Sequence, residues 1–345
     1  MSVYINSAAQ ISLQTTPLGD EWFENPAFPE GQYHRAAEAS YREFLDPIAS
    51  RRMGRVLKRA VATSVTALRR AALESVDAII TGTGLGCLEN SEKFLTAMAV
   101  SEELLQPTFF INSTHNTISS AVAVHLKCHG YNSSYVHRGL SFESALLDAF
   151  MQFETGRIGS ALVGGHDELT PEWFSVLERL GVWKEGAADC EALRRADTPG
   201  TIAGETAVSL VLSTCARGAM AEVRGVELAA GLAAGSLAAC ARRACGGVAP
   251  DLVMTGRNGD DTDRRIYDEL CEACASGVPQ GWWKHVSGES YTSAAFGLYD
   301  SALALQRGRV PDWMVWSGAP QEVKNILVVN HFCGEEYSFV MLSAC

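Results

Sequence analysis

The chain has no excess of basic residues: 28 Lys and Arg stand against 40 Asp and Glu, a formal charge of −12. A surface of that sign repels a phosphate backbone, which excludes a dedicated nucleic-acid binder. No apolar run approaches the roughly 18 residues of a membrane span, and the opening MSVYINSAAQ lacks the basic head and apolar core of a secretion signal. A soluble cytoplasmic protein is the expectation. Histidine is sparse, with eight in all and none between His166 and His285. Cysteine is not sparse, but its ten occurrences are scattered through apolar segments of a chain too long to need disulfide staples, and they read as reduced, buried thiols. The CxxC of Cys271 and Cys274 has no second pair and no histidine beside it in the sequence, so neither a metal nor any other cofactor is expected.

What is present is a globular composition, 47% hydrophobic over 345 residues, enough for two domains or one large two-lobed unit. Strand-like and helix-like stretches alternate. VDAIITGTGLG, IGSALVGGHDE and AVSLVLST read as buried strands; after Arg217 the pattern restarts with AEVRGVELAAG, a helical LAAGSLAACARRACG and PDLVMTGRNGD. NILVVNHFCGEEYSFVMLSA closes the chain as two strands around a turn at Cys333-Gly334. Such alternation predicts an α/β fold with helices on both faces of a mostly parallel sheet. The restart near residue 216 predicts two similar halves, 1–215 and 216–345, in one compact unit.

Three segments carry candidate chemistry. YVHRGLSFESALLDAF (135–150) predicts a strand, a tight turn at Arg138-Gly139 and a helix with apolar residues at Phe142, Leu146, Ala149, Phe150 and Phe153. Enzymes often hold a nucleophile at such an elbow, because the helix N-terminus offers free N–H groups to an oxyanion. The segment 51–70 has seven basic residues and no acidic one, and predicts an amphipathic helix with Arg51, Arg52, Arg55, Lys58 and Arg59 on its polar side, either simply solvated or docking an acidic partner. GTGLG at 82–86 lacks the glycine spacing of a dinucleotide fingerprint, so nucleotide binding is not expected.

The order of IITGTGLG, FFINSTHNTISSAVAVHLKCHGYN, ALVGGHDELTP, AGETAVSLVLS, KHVSGE and NHFCGE resembles the β-ketoacyl-acyl-carrier-protein synthases of the thiolase fold over nearly the whole length. The resemblance implies two similar halves with stacked mixed sheets in a layered αβαβα architecture. It also implies a cysteine at the elbow and two histidines that drive decarboxylation and stabilise the enolate. Counting back from Gly164-Gly165 places the cysteine position at Gly139, or with slippage at Leu140 or Ser141, and none is a thiol. The family's His-Gly-Thr is replaced by a segment containing Arg257 and Asn258, and the second histidine by Glu289, while Lys284 of that motif is retained.

Loss of all three groups resembles the family's chain-length factors, non-catalytic subunits that pair with an active synthase and shape its acyl tunnel. STHNT, KCHGY and YVHRG are similar to short synthase-like proteins of aryl-polyene and flexirubin pigment clusters. By that resemblance Phe109, Phe110, Thr114, His115 and Asn116 are candidate tunnel and interface residues, the basic segment docks an acyl carrier protein, and an active ketosynthase completes a heterodimer. Arg138, Lys284 and Glu289 are candidates for an ion-paired cluster filling the vacated pocket. Alternatives are Ser141 as nucleophile with His137 or His166 as base, a reactive Cys333 beside His331, or a homodimeric module that binds acyl chains or carrier protein.

Overall fold

The computed structural model describes residues 2–28, 30–186, 188–231 and 234–345. In the first half, β1 (Val3–Ile11) leads through a long connection to α1 (Arg55–Arg70) and β2 (Ala78–Gly82). Then come α2 (Leu88–Val100), α3 (Pro107–Ile111), α4 (Thr117–Leu126) and β3 (Tyr131–Tyr135), followed by α5 (Ser141–Glu154), β4 (Ser160–His166), α6 (Pro171–Arg179) and β5 (Ala207–Ser213). The second half repeats the rhythm with β6 (Ala221–Ala230), α7 (Ala234–Cys245), β7 (Leu252–Thr255), α8 (Asp261–Ala275), β8 (Gln280–Trp282), α9 (Ala294–Arg307), β9 (Val315–Ser317), β10 (Asn325–Phe332) and β11 (Glu336–Ser343).

The strand order carries the duplication. The first half runs β3-β2-β4-β5-β1 and the second β8-β7-β10-β11-β6, with β9 added at the outer edge. In each, three strands pair in parallel and the last two are antiparallel. Three residue pairs between β1 and β6, such as Tyr4 with Glu222, join the halves into one eleven-stranded sheet. One apolar cluster lies between the halves and takes Phe142, Leu146 and Phe153 from α5 with Phe296, Leu303 and Leu305 from α9. Two more coat the outer faces, one with Val56, Val61 and Leu68 of α1, the other with Leu237, Ala241 and Leu270 of α7 and α8. Helices outside, sheet, helices between, sheet, helices outside: these are the expected αβαβα layers.

Local sequence explains most boundaries. α6 begins at Pro171, with the Trp173 amide capped by the Thr170 hydroxyl, and α8 is capped by the Asp260 carboxylate on the amides of Thr262 and Asp263. The basic helix is shorter than expected: Arg51 and Arg52 lie in a turn before α1 starts at Arg55. Gly82 ends β2 where the carbonyl carbon of Ser141 and the amide of Phe142 pass so close that a Cβ would overlap both, so glycine lets α5 start against the strand.

Candidate functional site

The elbow has the expected shape. Arg138 is held at φ 45°, a left-handed conformation costly for a side chain, and α5 begins three residues later. Ser141 fixes the turn: its hydroxyl donates to the Arg138 carbonyl (2.7 Å) and accepts from the His137 amide (2.9 Å). A Cβ on Gly139 would sit 2.8 Å from Cγ and 2.9 Å from Cβ of Phe332, well inside van der Waals contact. The ring of Phe332 therefore occupies the space a nucleophile's side chain needs. The Arg138 guanidinium stacks 5.2 Å over that ring and pairs with Glu336 at 3.1 Å.

Beside the elbow lies a cavity of about 380 Å³. Its apolar lining includes Trp173, Leu177, Val182, Trp183, Ile266 and Phe332. Its polar end brings together three of the predicted positions. Lys284 Nζ donates to Glu289 Oε2 at 2.8 Å, and Asn258 Nδ2 donates to the same oxygen at 2.9 Å. Glu289 thus pairs with Lys284 and is largely buried, with 23% of its side chain exposed. Arg138 does not join that cluster; it pairs with Glu336. Gly139 lines the cavity, whereas Leu140 is buried outside its lining.

Arg257 is also outside that lining. Its buried guanidinium donates to Asp268 and Gln280, both at 2.8 Å, and is stacked against Trp316 (4.8 Å) and Tyr267 (5.6 Å). It ties the core of the second half instead of facing the cavity.

Among the described residues no histidine ring is hydrogen-bonded to Ser141 or Cys333. The Ser141 hydroxyl is consumed by the turn, and His137 Nδ1 is engaged with Ser144 at 3.0 Å. His166 is fully buried, and burial pushes its pKa down to about 3. Burial pushes the Cys333 thiol up, against a smaller opposing effect of Arg138. The His331 ring is directed elsewhere: Nδ1 accepts from the Gly334 amide at 3.3 Å, and Nε2 lies 2.9 Å from Asp263 Oδ1. His115 is half-buried with its ring against Gly86, and burial lowers its pKa.

The expected tunnel and interface segment is at the surface. Phe110 is 60% exposed and leans on Phe94, Phe109 is half-buried, and Thr114 and Asn116 are exposed. Ile111, Val124, Val136 and Met151 are exposed apolar residues of the same half. β3 hydrogen-bonds β2 along one side and forms the edge of the sheet.

The basic segment divides in two. Arg51 and Arg52 are exposed and Lys58 is half-exposed, whereas Arg55 pairs with Glu89 at 3.3 Å. Arg59 has no exposed surface and contacts Glu38 at 2.6 Å and Glu205 at 3.0 Å, so it cannot dock a carrier. The helical period put it with the basic face because the period sees one helix, not the Glu38 loop that folds over it.

Several buried acids escaped the sequence reading. Asp167 accepts from the Thr83 hydroxyl and from the amides of Gly84 and Leu85, so a carboxylate already holds the GTGLG amides that a phosphate would need. Burial raises its pKa to about 6 and that of Glu168, which accepts from the amides of Val56 and Glu89, to about 7. Glu143, directly after the elbow, accepts from Asn330 (2.8 Å) and Ser338 (3.2 Å) and is pushed by burial to about 7. The run His166-Asp167-Glu168 at the end of a buried strand was the available signal for the first two. Among the described residues no His, Cys, Asp or Glu group converges as metal ligands would.

The model of the β-ketoacyl synthase N-terminal domain matches residues 27–217, over half of the chain. No curated protein matches. Among solved structures, one titled the ishigamide ketosynthase/chain length factor superposes with a TM-score of 0.84 at 18% identity, covering 100% of this chain and 99% of that one. A β-ketoacyl synthase from Burkholderia phymatum STM815 gives 0.80 at 16% identity with the same coverage. A type II PKS acyl-carrier protein in complex with its ketosynthase bound to the hexaketide gives 0.79 at 15%, again covering 100% and 99%. At these identities the structures establish a shared fold, the thiolase-like fold of ketosynthases.

Proposed function

The chain belongs to the β-ketoacyl synthase family, and from that premise we propose that it is a non-catalytic, chain-length-factor-type subunit that pairs with an active synthase and shapes its acyl tunnel during polyketide or polyene synthesis. The observation that carries this reading is the elbow: the strained turn and helix start are kept, while Phe332 fills the space at Gly139 where the family's thiol would stand. At the second family position a carboxylate replaces the histidine, ion-paired with Lys284 and hydrogen-bonded by Asn258. A carboxylate oxygen already held as an acceptor by Lys284 and Asn258 is no donor for an enolate oxygen.

The exposed apolar residues of the 109–136 region, with the open edge of β3, suit burial by a second subunit. Likeness to a structure titled a ketosynthase/chain length factor favours a heterodimer over a homodimer. Likeness to a carrier-bound ketosynthase favours an acyl carrier protein as the further partner, met by Arg51, Arg52 and Lys58. A link to aryl-polyene or flexirubin-type products rests on the similarity of STHNT, KCHGY and YVHRG.

The test is reconstitution with a cysteine-bearing β-ketoacyl synthase and a malonyl-loaded carrier. A stable one-to-one complex whose product length changes when Phe110 or His115 is replaced supports the proposal. Elongation by the purified chain alone would overturn it.

A further inference from the structure

Most carboxylates around the cavity beside the elbow are already engaged. Asp167 and Glu168 accept backbone amides, Asp260 accepts the amides of Gly200, Thr262 and Asp263, and Glu289 is paired with Lys284. One pair differs. His331 and Asp263, with 2% and 13% of their side chains exposed, both line the cavity, and Nε2 of the histidine lies 2.9 Å from Oδ1 of the aspartate. Yet neither Nε2 nor Asp263 Oδ2 makes a hydrogen bond among the described residues.

The other ring nitrogen fixes the tautomer. His331 Nδ1 accepts from the Gly334 amide at 3.3 Å, so in the neutral ring the proton sits on Nε2. The ring packs against Tyr267 at 4.5 Å between centroids, and the Tyr267 hydroxyl is itself tied to Asn330 Oδ1 at 3.1 Å. A donor, Nε2–H, and an acceptor, Oδ2, thus stand side by side in the lining without partners. Buried polar atoms in that state cost free energy until something pairs with them. A hydroxyl is the smallest group that answers both, accepting from Nε2–H and donating to Oδ2. A carboxylate would meet the charge of Asp263, and an ammonium has no lone pair for Nε2–H.

The rest of the lining sets the body of the ligand. At about 380 Å³ the cavity is at the small end of ligand sites, about 300–1,000 Å³, and holds one compact ring system. Trp173, Trp183, Tyr291 and Phe332 line it. Trp183 is stacked on Phe174 at 5.4 Å, and its Nε1 donates to the Phe174 carbonyl at 3.0 Å; Phe332 lies 5.8 Å from Tyr291. Rings held in this way by their neighbours favour a flat aromatic partner.

We propose that this cavity binds a hydroxylated aromatic molecule of the phenol or naphthol class, its hydroxyl bridging His331 Nε2 and Asp263 Oδ2 and its ring among Trp173, Trp183, Tyr291 and Phe332. The binding is independent of pairing with a synthase, and its failure leaves that reading intact.

The test is equilibrium dialysis of the purified full chain against β-naphthol, its methyl ether, β-naphthoate, naphthylmethylammonium and octanol. The expected result is that β-naphthol binds about ten- to hundredfold more tightly than the methyl ether, which cannot donate, and more tightly than the other three. Asp263→Ala should bring β-naphthol down to the level of its ether, and Leu177→Trp, which fills the cavity, should abolish binding of both. The proposal is overturned if β-naphthol fails to bind, if the ether or octanol binds as well, or if the carboxylate or the ammonium binds more tightly. Binding that survives Leu177→Trp overturns it equally. The ligand series is read on the unsubstituted protein, so the comparison stands even where a variant does not fold.

Discussion

Arg59 with Glu38 and Glu205 in the first half, and Lys284 with Glu289 and Asn258 in the second, are both cation–carboxylate clusters built on a buried basic residue. Their surroundings differ. Arg59 and Glu205 have no exposed side-chain surface, and Glu205 also accepts the amides of Ala36 and Leu169, so the cluster binds α1, the 36–38 loop and the strap before β5 into one piece. Lys284 is 5% exposed and Glu289 23%, at the end of a cavity. A charge orphaned in the first cluster finds no water, whereas one orphaned in the second is partly hydrated. Residue type alone does not separate a cluster that holds the fold from one that fills a vacated site; access to solvent does.

The largest expected effect follows directly. Arg59→Ala leaves the Glu205 carboxylate buried without its cation, and denaturant unfolding should show a loss of about 3–5 kcal/mol. A loss below about 1 kcal/mol would place Arg59 with exposed charges and erase the contrast.

The elbow comes next. Gly139→Cys forces a side chain into the space held by Phe332 and should cost about 1–3 kcal/mol as overpacking. Its thiol should also be alkylated slowly. Adding Phe332→Ala opens that space, so the double variant should react with iodoacetamide much faster than the single one. Equal rates would mean that Phe332 does not fill the site.

Lys284→Met should cost less than either, about 1–2 kcal/mol, because Asn258 still donates to Glu289 and solvent reaches it. Thermal unfolding of the Arg59 and Lys284 variants side by side measures the contrast directly. A larger loss at Lys284 would reverse it.

Glu143 gives a pH dependence and no large effect at one pH. Burial raises its pKa from 4.5 to about 7, so the folded state holds a proton that the unfolded chain releases. The resulting stability is complete below about pH 4.5 and is lost as pH rises through about 7. Replacement by Gln keeps a neutral side chain, so the fall in stability between these limits should become shallower. An unchanged slope would assign the titration to Glu168 or Asp167, whose pKa values are also raised by burial.

Much of this arrangement was legible in the residues. The apolar spacing of Phe142, Leu146, Ala149 and Phe153 predicted the buried face of α5, and the turn at Cys333-Gly334 predicted the β10–β11 hairpin. The missing thiol and the Lys284–Glu289 neighbours could be read from motif positions. β1 was not read as a strand. VYINSAAQI has no alternation because most of it is buried between neighbours on both sides, with Ser7 and Gln10 inside. β8 is three residues long and gives no period. The roles of Arg59, Arg257 and Phe332 were hidden for one reason: each is set by a contact far away in the chain, with Glu205, Trp316 and Gly139 respectively. A helical or strand period reports only which way a residue faces within its own element.

The smallest effect on stability is expected where the same basic segment leaves the core. Arg51 and Arg52 are exposed in the turn ahead of α1, so reversing both to Glu should change unfolding free energy by no more than about 0.5 kcal/mol. If they meet an acidic carrier protein, the same double reversal slows association and flattens its salt dependence, because exposed charges act mainly on encounter. Surface plasmon resonance across a salt series separates the two possibilities: a several-fold lower association rate at low salt, converging at high salt, marks a docking surface. Identical rates at every salt concentration would leave Arg51 and Arg52 as solvated charges, and the basic segment would then contribute to the fold through Arg55, Arg59 and Arg70, which pair with Glu89, Glu38 and Glu205, and Asp20.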